Sequence, residues 1–283
     1  MADRDSRSGE IELVTDPDAK ARIEAANALL QTKAALDLLP AWIAGGQKLR
    51  PSLFLRLHGI LLDRISSYPG VFRPGPMAIS NSQHTPPPSR DVPLLVEEMC
   101  DYVNENWSTK SSLHLASYVL WRTNWIHPFA DGNGRTARIV SYVILCAHAR
   151  TELPGTPTIP EQIAAAKTIY YEALEAADLA FRRGVTDVGG IEAILESCLA
   201  QQLISFLKTV SGRGDTLDEA MRAEIRHALD VANASGLAQR QAKPLLPRAR
   251  KRPGALEHIE RYPVLYGTLV AVGLAVIGWV FFR

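Results

Sequence analysis

Twelve consecutive residues, His127 to Arg138, carry the densest chemistry in the chain. They read HPFADGNGRTAR. Gly132-Asn133-Gly134 permits positive φ, so successive backbone N–H groups can curl into a concavity that suits an anion. A helix starting near Arg135 adds its own unsatisfied N–H groups and the positive end of its dipole. Together these favour phosphate. Arg135 and Arg138 are three residues apart, share a helix face, and suit phosphate recognition. Asp131 supplies a hard oxygen beside that nest, of the kind that holds Mg²⁺ against a nucleotide. His127 can accept a proton near neutral pH and suits a general base. Pro128 fixes the backbone after it, and Phe129 can anchor the loop in a core. The pieces suggest a Mg²⁺-nucleotide in a backbone cradle, with a histidine activating an attacking hydroxyl.

Helices must position this loop. SSLHLASYVLWRTNW precedes it with Leu113, Ala116 and Leu120 on one face, and the helical pattern breaks at Ile126-His127-Pro128. TARIVSYVILCAHAR follows and is apolar nearly all round, which places it at the centre of a helical domain. Other helices are predicted over Asp16 to about Leu39, over LFLRLHGILLDRI and VPLLVEEMCDYVNENW, and over about 160–182, 189–210 and 216–235. Residues 68–90 are rich in Pro, Gly and Ser. They read as an exposed loop or small hairpin with one strand-like stretch, Met77 to Ile79. The fold class is therefore all-α with one small β element.

The chain has 283 residues, 47% of them apolar, which is enough to bury a sizeable core. Its formal net charge of +1 gives no global field toward nucleic acid, and no nucleic-acid partner is expected. Cys100, Cys146 and Cys198 are odd in number and far apart, so buried thiols are expected, neither disulfides nor a zinc site. The first residues lack an apolar core, so no cleaved signal peptide is expected.

The twelve residues match the signature of the Fic domain, which runs His-Pro-Phe, any residue, Asp or Glu, Gly-Asn-Gly-Arg, any two residues, Arg. Every specified position is filled. The order of helices from about residue 50 to 210 also resembles a Fic domain, and the helix over 16–39 resembles the N-terminal extension of many bacterial members. The resemblance implies a Fic-type helical bundle with a small β-hairpin flap. It implies a protein adenylyltransferase that moves AMP from ATP to a Ser, Thr or Tyr hydroxyl of a target protein and releases pyrophosphate. On this resemblance His127 takes the hydroxyl proton and Asp131 binds Mg²⁺. Gly132, Asn133 and Gly134 hold phosphates through backbone and side-chain donors. Arg135 and Arg138 steady the outer phosphates, Arg138 the γ-phosphate. A relative that acts as a kinase carries Lys in place of the second glycine, whereas this chain keeps Gly134. Residues 68–90 correspond to a flap that pairs with an extended target segment, with Phe72, Met77, Ile79 and His84 as candidates. At most one of Tyr170 and Tyr171 is expected at the base.

Many members of the family restrain themselves with a helix bearing Ser or Thr, three residues, Glu, then Gly or Asn. No full match occurs. Glu24 has Lys20 and Ala25 at the key positions, Ser6 and Glu10 are followed by Ile11, and Thr168 and Glu172 by Ala173. Glu24 is the candidate restraint on Arg138.

A second feature lies outside the resemblance. Pro263 to Phe282 reads PVLYGTLVAVGLAVIGWVFF, without a charge. At about 1.5 Å per residue it spans roughly 30 Å, the thickness of a bilayer core. Tyr262, Tyr266 and Trp279 stand near its ends, where an aromatic belt would lie. Arg240, Lys243, Arg248, Arg250, Lys251 and Arg252 precede it, and only Arg283 follows. The positive-inside rule makes this a single-pass membrane protein with its catalytic domain on the cytoplasmic side. Gly267, Ala271 and Ala275 form a small-residue stripe compatible with a homodimer. The expected organisation is an N-terminal helical extension over 1–49, a catalytic domain with C-terminal helices over 50–235, a basic linker over 236–261 and a transmembrane anchor over 262–283. Two rival readings keep the same residues. One uses another nucleotide or removes AMP, and the other is a membrane-tethered nucleotide sensor without enzymatic activity.

Overall fold

Two helices of very different character from their neighbours make the centre. Helix α4 (Ser112–Ile126) begins at the Ser111 cap, whose hydroxyl accepts the His114 N–H, and α5 (Asn133–Ala149) begins at Gly132. Both are buried on almost every side, as the all-round apolar pattern requires. The six-residue interval between them is the polar loop. In the computed structural model, residue 4, residues 6–7 and residues 13–211 are described.

Around this pair stand α1 (Pro17–Ile43), α2 (Pro51–Leu61), α3 (Val92–Glu105), α6 (Ile159–Ala165), α7 (Lys167–Arg182) and α8 (Gly189–Ser211). A short 3₁₀ turn, Ser89–Asp91, leads into α3. Helix α1 packs on α2 and α5. It does so partly through polar side chains. Asn27 Nδ2 donates to the carbonyls of Leu61 (3.1 Å) and Asp63 (2.8 Å), and Gln31 Nε2 donates to that of Leu57 (3.1 Å). The Leu61 carbonyl is one that the end of α2 leaves open, and the Asp63 carbonyl lies just beyond it. Through these amides the N-terminal extension becomes part of the same unit as the loop.

The stretch expected as one helix over about 160–182 is two helices, broken at Ala166, which adopts φ −113°, ψ 53°. The chain divides into two units, Met1–Ser211 and Gly212–Arg283, and all elements named here belong to the first. The helix expected over 216–235, the basic linker and the apolar segment over 263–282 lie outside the described residues. Among the described residues one helical stretch, Gly189–Thr209, is long and apolar enough to cross a membrane by length and composition. It packs on α4, α6 and α7, and Ile191 and Leu195 are buried there. Gln202 ties it further, accepting the Ile159 N–H (3.0 Å) and donating to the Leu153 carbonyl (2.9 Å).

The β element is not a hairpin. Strand β2 (Ala78–Ile79) in the Pro-rich loop pairs antiparallel with β1 (Ser6–Arg7), more than seventy residues away, with Ser6 opposite Ile79 and Arg7 opposite Ala78. The loop has too many prolines to supply its own partner strand. All three cysteines are buried and free, as their spacing suggested.

Candidate active site

His127 closes α4 in the left-handed region, at φ 53°, ψ 60°. That conformation is costly for a residue with a Cβ and persists only where its surroundings over-determine it. Three contacts do so. Its N–H stays on the Thr123 carbonyl (2.9 Å). The buried guanidinium of Arg73 donates from Nε to the His127 carbonyl (2.8 Å), and the Arg73 N–H donates to the Pro128 carbonyl (2.9 Å). Arg73 also donates to the carbonyls of Gly75 and Pro87, so it clamps the root of the flap to the loop.

His127 is 7% exposed. Nδ1 lies 3.1 Å from the Asn124 carbonyl, which can only accept, so Nδ1 carries the proton and Nε2 presents its lone pair. Burial lowers the pKa to about 4, so the ring is neutral at ordinary pH. Nε2 lies 3.0 Å from the hydroxyl of Ser6. That is the geometry of a base facing a nucleophile.

The rest of the loop is held from within. Asn133 is 2% exposed and returns to Phe129, accepting its N–H (2.9 Å) and donating to its carbonyl (2.8 Å). Its amide is thus committed to the loop, and of the donors expected from Asn133 the backbone N–H is the one left for an anion. Gly132 is the only residue of the Gly-Asn-Gly turn at positive φ (+72°), since Asn133 and Gly134 already belong to α5. The N–H groups of Asn133, Gly134 and Arg135 are the first of the helix and have no partner within it. Donors so placed suit an anion.

Phe129 is fully buried and stacks on His58 of α2, with ring centroids 3.8 Å apart and planes 6° from parallel. His58 accepts the Gly70 N–H at Nδ1 (3.0 Å) and donates from Nε2 to the Asp131 carbonyl (3.0 Å). A neutral ring makes both bonds, and burial keeps it neutral by lowering its pKa to about 4. Replacing His58 with leucine leaves that N–H and that carbonyl unpaired in the interior. The expected loss is about 2–4 kcal/mol, read as a drop in the thermal midpoint, whereas a surface histidine such as one on a solvent-facing helix would cost little.

The charged residues divide. Asp131 accepts the Gly132 N–H at Oδ1 (2.6 Å) and Arg135 Nη2 at Oδ2 (2.9 Å). Glu24 of α1 also reaches Arg135, at 3.4 Å from Nη1. The expected contact of Glu24 with Arg138 is therefore not the one formed: Arg135, three residues earlier on α5, takes it. Arg138 lies beside Gly134 and has no carboxylate partner among the described residues. Those residues contain no cluster of three or more His, Cys, Asp or Glu able to hold a metal.

These groups line a cleft of about 350 Å³. Tyr170 is buried, and its hydroxyl accepts from Asn124 Nδ2 (2.9 Å). Tyr171 is half-buried and carries the Arg4 guanidinium 4.4 Å above its ring. Of the flap candidates, Ile79 and His84 line the cleft. His84 donates from Nε2 to the Trp125 carbonyl (2.7 Å), and its Nδ1 lies 3.7 Å from Asp178, which also accepts the Trp121 indole N–H (2.8 Å). Phe72 packs on Phe129 at 5.8 Å, and Met77 is half-buried. Sequence reasoning missed His58, Arg73, Asn124 and Arg4, none of which belongs to a motif.

Comparison with known proteins agrees with this geometry. Residues 48–145 match the Fic/DOC family. Two curated relatives are both named Protein adenylyltransferase Fic. The one from Drosophila persimilis is 29% identical over 209 residues, which cover 69% of this chain and 39% of the relative. The one from Drosophila melanogaster is 30% identical over 175 residues, covering 58% and 33%. The chain thus spans less than half the length of the curated relatives it matches. Among solved structures, Fic-1 (aa134–508) from C. elegans aligns with TM-score 0.53 at 19% identity, covering 70% of this chain and 55% of that one. A Fic family protein from Desulfovibrio desulfuricans G20 aligns with TM-score 0.50 at 20% identity, covering 82% and 66%. The motif, the helix order and these likenesses converge: over residues 48–145 the chain is similar to the Fic/DOC family, and its fold is like that of solved Fic proteins.

Proposed function

We propose that the cleft transfers AMP from ATP to a Ser, Thr or Tyr hydroxyl of a protein and releases pyrophosphate. One observation carries this reading. A hydroxyl oxygen stands 3.0 Å from the unprotonated Nε2 of His127, beside the open N-terminus of α5. His127 takes the hydroxyl proton, the oxygen attacks the α-phosphorus, and the bond from that phosphorus to the β-phosphate oxygen breaks. The N–H groups of Asn133, Gly134 and Arg135 face the phosphates, with Gly132 turning the chain into place. Arg135 and Arg138 neutralise the outer phosphates, Arg138 with its guanidinium unclaimed by any described carboxylate. Positioning and charge stabilisation do most of the work in such a transfer. The names of the curated relatives support the choice of AMP.

The donor set suits Mg²⁺ in the way nucleotide sites usually do, with one protein carboxylate and the remaining ligands from phosphate and water. Asp131 is that carboxylate, and the ion when bound would offset phosphate charge. The apolar segment over 263–282 anchors the protein in a membrane, with the catalytic domain on the cytoplasmic side, and its small-residue stripe suits a homodimer. The six basic residues before it strengthen attachment to anionic lipid by about 1 kcal/mol each near the surface.

The test uses ATP labelled in turn on the α- and the γ-phosphate, with the full chain and cell lysate. Protein-bound label from the α-position alone is expected. Label from the γ-position would establish phosphoryl transfer and end the proposal.

A further inference from the structure

The oxygen that faces His127 belongs to this chain, and its placement is not that of a stray contact. Three independent features hold the segment around Ser6 in the cleft. Strand β1 pairs with the flap strand β2, with Ser6 directly opposite Ile79. Main-chain pairing of this kind is how a sheet edge receives an extended peptide. Two residues before Ser6, the guanidinium of Arg4 lies over the Tyr171 ring and forms an ion pair with Glu175 of α7. At the start of that strand the Ser6 hydroxyl stands 3.0 Å from Nε2 of His127. Asn124 fixes the opposite ring nitrogen as a donor, so the Ser6 hydroxyl must donate. A segment docked only to fill the cleft would need no hydroxyl at that point.

We propose that Ser6 is itself an AMP acceptor, modified within the same chain. This rests on the reading of the cleft as an AMP transferase. Ser6 Oγ attacks the α-phosphorus of ATP, its proton passes to Nε2 of His127, and pyrophosphate leaves with the electron pair of the broken phosphorus–oxygen bond. The product is O-adenylyl-Ser6. Arg4 and the strand pair give the acceptor a high local concentration that a free protein target must match. The N-terminal segment therefore competes with outside targets for the flap until it is modified.

The experiment incubates the full chain with ATP and Mg²⁺, digests it with chymotrypsin and maps AMP on the peptide Met1–Leu13 by fragmentation. Fragments separate Ser6 from Ser8. The same reactions carry cell lysate with α-labelled ATP, so that transfer to other proteins is read beside self-labelling. Adenylate is expected on Ser6, at least about tenfold above any other hydroxyl of the chain. Its rate constant should not change when the chain is diluted. Ser6→Thr should keep self-labelling. Ser6→Ala should remove it and label lysate proteins at least as strongly as the unaltered chain. Adenylate on other hydroxyls with Ser6 unmodified overturns the proposal and leaves the transferase reading intact. A rate proportional to chain concentration overturns modification within one chain. An absence of label on the chain and on every lysate protein overturns both.

Discussion

Replacing His127 with alanine lowers AMP transfer by about 10² to 10⁴-fold, the contribution of a positioned general base. The fold survives the change, because the ring is not what holds the loop. The loop is held by Arg73 on the carbonyls of His127 and Gly75, by Asn133 on Phe129 and by His58 on the Asp131 carbonyl. The thermal midpoint should therefore stay near that of the unaltered chain while the rate collapses. The loss should be equal at pH 6 and pH 8. Burial holds His127 to a pKa of about 4, so the base form prevails at both values. A histidine at its ordinary 6.5 would be about three-quarters protonated at pH 6 and would show about a fourfold lower rate there than at pH 8. A rate that falls with a midpoint near 6.5 in the unaltered chain would show that the ring is not buried when it works.

Gly132→Ala damages fold and rate together. Gly132 stands at φ +72°, and a Cβ there would lie 2.7 Å from Leu62 Cδ2 and 3.2 Å from Leu61 Cδ2. Both leucines are buried at the end of α2 and have no room to retreat. Left-handed backbone costs a residue with a Cβ about 1–2 kcal/mol, and crowding of a packed core adds about 1–3 kcal/mol. The thermal midpoint falls by several degrees. The start of α5 moves, and with it the N–H groups proposed to face the phosphates. A shift on the order of 1 Å at such a site can cost about 10²-fold in rate. Gly134→Ala is the control for stability. A Cβ at Gly134 meets nothing nearer than Arg138 Nη1 at 3.4 Å, so the midpoint should hold. Equal midpoints for the two variants would mean that the left-handed turn at Gly132 does not set the loop.

The contrast between what the sequence discloses and what it conceals follows from the range of the interactions. The loop was legible because its chemistry is contiguous. A histidine, a carboxylate, two glycines and two arginines within twelve residues leave few alternatives. Helices α4 and α5 were legible from their apolar pattern. The pairing of β1 with β2 was not, because two residues per strand carry no periodicity, and the partners are far apart in the chain. His58 and Arg73 look ordinary in sequence. Their work is to satisfy backbone groups of another segment, which only the fold brings near. The break at Ala166 lacks a glycine or proline at the break itself. Glu24 meets Arg135 and not Arg138, because helix phase relative to α5 cannot be read from α1 alone. Asn133 was read as a phosphate donor by its company, while burial turns its amide back onto Phe129.

The central claim is that the α-phosphorus of ATP is the atom attacked and that pyrophosphate is what leaves. The most direct measurement takes the full chain with ATP and Mg²⁺ and quantifies protein-bound adenylate against free pyrophosphate. The account predicts equal amounts of the two, both abolished by His127→Ala. Release of ADP with phosphate left on the protein, or ATP turnover without bound adenylate, would contradict it.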